Sequence, residues 1–224
     1  MPPLNQLTIQ MQRLTLFQGL DAESVAALVR AAHFRTYAAG EIVALEGERA
    51  PGLFLLASGW LKAVKYAPGG REQVLRFLEP GETFNEIGVF ADQPNPATAI
   101  ALEPAGVWIL PRAAITELLR SRPAFAQYVI ERLAERLIYL VDLVTDLSLR
   151  TLTGRLARLI LDSASGDTLH RPHWYTQAEL AARLGTVPDV AQRALRQLEQ
   201  NGLIAVDRNA IRILDRNALE QAAQ

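Results

Sequence analysis

Residues 124–149 contain neither glycine nor proline, and their apolar side chains keep a strict interval. Ala126, Ile130, Leu133, Leu137, Leu140, Val144 and Leu147 follow one another by alternating steps of four and three, the heptad seam of a coiled coil. A strand cannot use that period, because its side chains alternate every second residue. The segment is therefore expected to be one long helix. Val129, Ile138 and Leu143 lie off the seam. One face can then pack on the chain's own core while Ile130, Leu133, Leu137, Leu140, Val144 and Leu147 meet a second copy. A helix packed wholly on its own domain is the other reading.

Upstream, to about residue 120, the texture differs. "LDAESVAALVRAA" predicts a short helix, with Asp21 as N-cap and Ser24, Val25 and Leu28 at helical spacing. Short apolar or alternating runs follow, separated by Gly40, Gly47, Gly59, Gly69, Gly70 and Gly81, where tight turns call for positive φ. Strands this short and closely spaced predict a barrel or jelly roll. "VWILP" (107–111) adds a strand, and "RAAITELLRSR" a helix that stops before Pro123.

Downstream, "LRTLTGRLARLILDSA" is amphipathic and "SGDTLHRPHW" is expected to be a loop. "TQAELAARLG" and "VPDVAQRALRQLEQNG" then form two helices about a tight turn at Gly185, the helix-turn-helix pattern. "LIAVDRNAIRIL" reads as two strands around Asp207-Arg208-Asn209, a wing. In the second helix, Thr186 and Asp189 make a capping-box-like pair, with Pro188 in the first turn. Val190, Ala194, Leu195 and Leu198 are expected to be buried. Asp189, Gln192, Arg193 and Arg196 share the other side. Arginine can bond guanine O6 and N7, glutamine adenine, and aspartate cytosine N4. The plain alternative is a solvated face with an ordinary Asp189–Arg193 ion pair. The wing and the preceding helix favour a DNA reader. Thr176 and Gln177 at the start of that preceding helix suit phosphate contacts, and Arg208 sits on the wing.

Charge narrows the options. Formal net charge is −1, so DNA contact must come from a local cluster, and one module would bind weakly. Two copies joined by the long helix would engage two half-sites a DNA turn apart. There is no cysteine, which excludes disulfides, thiol catalysis and cysteine-held iron–sulfur clusters. No apolar run approaches the roughly 20 residues of a membrane span, and no secretory signal opens the chain, so a cytoplasmic protein is expected. No nucleophile–base set, phosphate loop or metal cluster points to an enzyme. His170 and His173 read as solvated loop residues rather than a metal pair.

In order and motif the chain resembles the cyclic-AMP receptor protein / fumarate-nitrate-reduction regulator (CRP/FNR) family of bacterial transcription factors. "PGETFNEIGVF" (80–90), "LTGRLARLIL" (152–161) and "TQAELAARLG…DVAQRALRQLEQNGLI" (176–204) carry the resemblance, which runs from about Leu16 to the C-terminus. It implies an α+β chain in three parts. A cyclic-nucleotide-binding-like β-roll (double-stranded β-helix or jelly roll) for effector sensing spans 1–123, a dimerisation helix 124–149, and a winged helix-turn-helix 150–224. It implies a homodimeric, effector-modulated regulator bound to a palindromic duplex operator, with RNA polymerase as a further partner. The DNA-binding residues are then Thr176, Gln177, Thr186, Asp189, Gln192, Arg193, Arg196 and Arg208.

The resemblance also places an effector pocket at Asn85, Glu86, Ile87, Gly88, Ala97, Thr98, Leu137, Leu140 and Val141. Nucleotide-binding members carry an Arg and a Ser for the cyclic phosphate; the matching positions here are Pro96 and Ala97. Glu86 matches the ribose carboxylate, and the adenine-reading hydroxyls align with Leu140 and Val141. A buried anion without its cation is penalised by roughly 3–5 kcal/mol, so cyclic AMP is disfavoured and the effector is left unknown. The "MPP" start is similar to that of a haem-binding branch of the family, but His33, His170 and His173 all fall outside the pocket segments. At the reader helix, Pro188 and Asp189 depart from the family's usual pair, so its best-known half-site is not implied. The competing function is a ligand-binding sensory protein whose winged domain contacts proteins rather than DNA.

Overall fold

Leu7 and Met11 stand one helical turn apart in a polar stretch, and their burial docks a short helix, α1 (Leu4–Arg13), onto the first core. The computed structural model describes residues 4–13, 17 and 20–223. Nothing in the period of the α1 segment announces it; short helices depend on tertiary packing more than on propensity. Helix α2 (Ala22–Ala31) follows with Asp21 as its cap: the carboxylate accepts the Ser24 N–H at 2.7 Å. Arg122 also reaches Asp21, at 2.8 Å. The Ser24 hydrogen bonds, with Arg122 in support, hold the Asp21 carboxyl below the usual carboxylate range.

Strands β1 (His33–Tyr37), β2 (Ile42–Ala44), β3 (Gly52–Ser58), β4 (Leu61–Tyr66), β5 (Glu72–Leu78) and β6 (Thr83–Phe84) come next. A short helix α3 (Glu86–Phe90), β7 (Thr98–Ala101) and β8 (Ala105–Pro111) complete the roll. Two four-stranded sheets result, ordered β1-β8-β3-β6 and β2-β7-β4-β5. Phe54, Leu56 and Val107 from the first meet Val43, Leu61 and Ala99 from the second to form the inner core. Leu53, Leu55, Trp108 and Leu110 point the other way and pack under the helices. The first sheet is covered on both faces, which is why β3 is continuously apolar rather than alternating. Gly59 turns β3 into β4 at φ +79°, and a Cβ there would lie 2.5 Å from the Pro104 carbonyl oxygen. All the spacer glycines adopt positive φ except Gly69.

Helix α4 (Arg112–Ser121) leads to α5 (Pro123–Leu149), 27 residues and about 40 Å long. Phe125 and Val129 anchor α5 in the core beneath the first sheet. Along the seam, Ile130, Leu137 and Val144 expose 66, 63 and 62 % of their surface. Leu133, Leu140 and Leu147 expose 39, 43 and 39 %. Ile138 does not pack as the off-seam reading allows; it is 64 % exposed. It follows Val129 by nine positions, which at about 100° per residue sets it on the opposite side of the helix. Leu143 returns to the Val129 side and is half-buried.

Two compact units divide the chain. One holds the N-terminal residues to Val64 together with Leu75–Leu137; the other holds Lys65–Val74 and the chain from Ile138. The second contains α6 (Leu152–Ser163), β9 (Thr168–His170), α7 (Gln177–Leu184), α8 (Pro188–Gln200), β10 (Ile204–Val206), β11 (Ala210–Ile213) and α9 (Arg216–Ala222). Leu156, Ile160, Leu180, Leu195, Ile211 and Leu219 are buried at its centre. The segment expected to be a loop contains β9, which pairs antiparallel with β11 (Ile211 opposite Leu169) and widens the wing to three strands, β10-β11-β9. Three residues with one apolar side chain carry no period of their own; pairing makes them a strand. Trp174 and Tyr175 beyond it are buried, ring centroids 5.7 Å apart, and burial raises the Tyr175 phenol pKa. Among the described residues no helix is long and apolar enough to cross a membrane.

Candidate nucleic-acid interface and effector pocket

Gly185 ends α7 in the left-handed region at φ +69°. Its N–H bonds to Ala182 O, and the Thr186 N–H bonds to Ala181 O at 2.9 Å, a Schellman closure. Thr186 thus serves the end of α7, and the expected Thr186–Asp189 capping box does not form. Val187 takes the cap position of α8 without a side-chain bond, and Pro188 is the first helical residue. The buried side consists of Ala191, Ala194, Leu195 and Leu198. Val190, expected inside, is only half-buried; it lies about 90° from the centre of that arc.

Asp189, Arg193 and Arg196 are exposed on the outer side. Gln192 is half-buried, and its Oε1 is enclosed without a hydrogen-bond partner among the described residues. Four arginines of this unit pair with acids. Arg150 pairs with Asp146 at 2.8 Å, Arg158 with Asp162 at 3.4 Å, Arg212 with Asp207 at 3.1 Å and Arg216 with Asp167 at 2.9 Å. Among the described residues the side chains of Arg193, Arg196 and Arg208 have no partner, and neither has Asp189, so the ordinary Asp189–Arg193 ion pair is not formed. Arg208 stands exposed between β10 and β11. Thr176 is exposed and its hydroxyl accepts the Glu179 N–H at 3.3 Å; Gln177 and Thr186 are half-buried.

At the other sequence-predicted site, Asn85 takes a left-handed conformation at φ 75° and donates from Nδ2 to Gly52 O at 3.0 Å. Glu86 is largely enclosed and accepts from Thr83 Oγ1 at 3.1 Å and Arg136 Nη1 at 3.2 Å. Arg136 was not legible as a pocket residue, because it sits off the apolar seam among other charged residues; only the fold brings it to Glu86. Ile87 is exposed, Gly88 is buried, and a Cβ at Gly88 would lie 3.0 Å from Ala50 Cβ. Pro96 is exposed and Ala97 half-buried, while the Thr98 hydroxyl is buried and accepts the Glu46 N–H at 3.1 Å. Asn95, another residue the sequence did not single out, is buried with Oδ1 unpartnered among the described residues. Leu137, Leu140 and Val141 are exposed along α5.

Comparison with known proteins agrees with both halves. Residues 34–122 match the family profile described as a cyclic nucleotide-binding domain, and residues 154–222 match that described as a Crp-like helix-turn-helix domain. The probable transcriptional regulator flp of Lacticaseibacillus casei is 30% identical over 193 residues, covering 84% of this chain and 86% of its own. The chain belongs to the CRP/FNR family of transcription regulators. A CRP-like cAMP-activated global transcriptional regulator of Mycobacterium tuberculosis is 28% identical over 198 residues, 86% of this chain and 88% of that one. Among solved structures, FixK2 of Bradyrhizobium japonicum superposes with a TM-score of 0.76 at 21% identity, covering 86% of this chain and 98% of its own, a likeness of fold. As a CRP/FNR-type regulator, the chain carries a cyclic-nucleotide-binding roll and a helix-turn-helix DNA-binding domain. The prolines at its start lie outside the described residues. His33 is on β1, His170 on β9, and His173 follows β9.

Proposed function

We propose that this regulator acts in the cytoplasm as a homodimer on a palindromic duplex operator, with RNA polymerase as a further partner and with an effector other than cyclic AMP. The three parts are an effector roll over 1–123, a dimerisation helix over 124–149 and a winged helix-turn-helix over 150–224. One observation carries the reading: on the outer side of α8 and on the wing, the exposed Arg193, Arg196 and Arg208 have no acid partner among the described residues, while Arg150, Arg158, Arg212 and Arg216 are paired. A guanidinium left unpaired on an exposed face is ready for base edges and phosphates without breaking an internal bond. Asp189 and Gln192 complete the reader side, and Thr176, Gln177 and Thr186 lie toward the backbone of the duplex.

For the effector, Pro96 and Ala97 provide neither a cation nor a hydroxyl, and Leu140 and Val141 provide no hydroxyl for a base. Arg136, the cation near Glu86, is engaged by that carboxylate. Isothermal titration is expected to give no cyclic-AMP binding in the micromolar range, and a micromolar Kd would refute this part. Duplex binding followed by fluorescence anisotropy tests the rest. The logarithm of its binding constant should fall linearly with log salt concentration as counterions are released. Arg193→Ala should cost about 1–3 kcal/mol and relax preference at one base position. Absence of duplex binding at low ionic strength would point instead to a winged domain that contacts proteins.

A further inference from the structure

Val187 and Pro188 lead α8 into solvent with apolar surface. Val187 leaves 49 % of its surface open, and Pro188 is exposed beside it. In the same unit α6, α7 and α9 begin on Thr151, Thr176 and Asp215, each of which accepts a first-turn N–H. Val187 can accept none through its side chain, so its place at the cap does not serve helix stability. It does not serve the core either, since the buried arc of α8 begins at Ala191.

In a helix-turn-helix the first residues of the second helix are those that meet base edges. Major-groove edges present mostly donors and acceptors, and their largest apolar group is the 5-methyl of thymine, which projects further into the groove than the C5–H of cytosine. Against a purine edge, a Val–Pro tip would cover polar base atoms without bonding them, which is unfavourable, and against cytosine it would bury less apolar surface. We propose that Val187 and Pro188 form an apolar tip that packs on a thymine methyl, so that each operator half-site carries a thymine next to the bases met by Asp189 and Arg193. This rests on α8 being the reader helix. The tip adds a non-polar preference to a face otherwise built of charge, and it makes the half-site depend on a group that takes no part in base pairing.

The test uses the full chain and a duplex selected by it from a random library. Thymine is replaced by uracil one symmetric pair at a time, which removes the methyl and leaves every hydrogen-bonding group in place. At one position, affinity is expected to fall about fourfold per half-site, the effect of one buried methyl group. Val187→Ser, a residue well suited to a helix cap, should fold normally and bind the thymine and uracil duplexes alike. A flat uracil scan with tight binding to the selected duplex, or undiminished discrimination by Val187→Ser, overturns the tip while leaving the reader helix in place. No binding to any duplex at low salt overturns both.

Discussion

Leu137→Ala separates the stability of one chain from the association of two. Leu137 lies mid-seam on α5 with 63 % of its surface open. In a single chain its truncation is a surface change, within about 0.5 kcal/mol. If the seam is the dimer contact, that open surface is buried on association. Full burial of a leucine is worth about 1.5–3 kcal/mol, so two thirds of it gives roughly 1–2 kcal/mol per copy and 2–4 kcal/mol for the pair. The dimer Kd should rise roughly 30- to 900-fold. Sedimentation equilibrium across a concentration series would measure this, with thermal melting of the dilute protein as the check on fold. Ile138→Ala is the control: it removes an equally exposed apolar side chain, 64 % open, from an outer heptad position, and should leave Kd within about twofold. Equal effects of the two substitutions, or no effect of Leu137→Ala, would refute the seam.

Asp21→Asn keeps a capping side chain but removes its charge. Because the Asp21 pKa is lowered on folding, its contribution is present above about pH 4 and disappears as pH falls through the folded value, so melting curves of variant and parent should converge only in acid. Gly185→Ala forces a Cβ into the left-handed region with Gln73 Oε1 2.4 Å away, and should cost about 1–2 kcal/mol by thermal denaturation, with Gly185→Asn milder. Ala191→Leu should cost about 1–3 kcal/mol by overpacking, whereas Val190→Leu at the margin should stay near zero; the reverse order would restore the arc first read from spacing.

Elements that carry their own period were legible. The α5 heptad, the Asp21 cap, the α7–Gly185–α8 turn and the wing strands β10 and β11 all repeat a local rule within a few residues. Elements that depend on a partner were not. α1 rests on Leu7 and Met11 reaching a core made by residues far along the chain, and β9 is a strand only because β11 pairs with it. The same division holds at the candidate sites. Spacing placed Asp189, Arg193 and Arg196 on the outer side of α8, yet it assigned Thr186 to the wrong helix end and missed Arg136 beside Glu86.

By itself the amino-acid sequence determined the order of parts, the length and stripe of the long helix, and which residue types stand on the reader helix, because these follow from covalent spacing and the periods of helix and strand. Only the tertiary structure decided which arginines are neutralised by acids and which are left open, which polar atoms are enclosed, and where Val187 points its surface. Ion pairing and burial depend on distances between segments that are remote in the chain, and no local period encodes those distances.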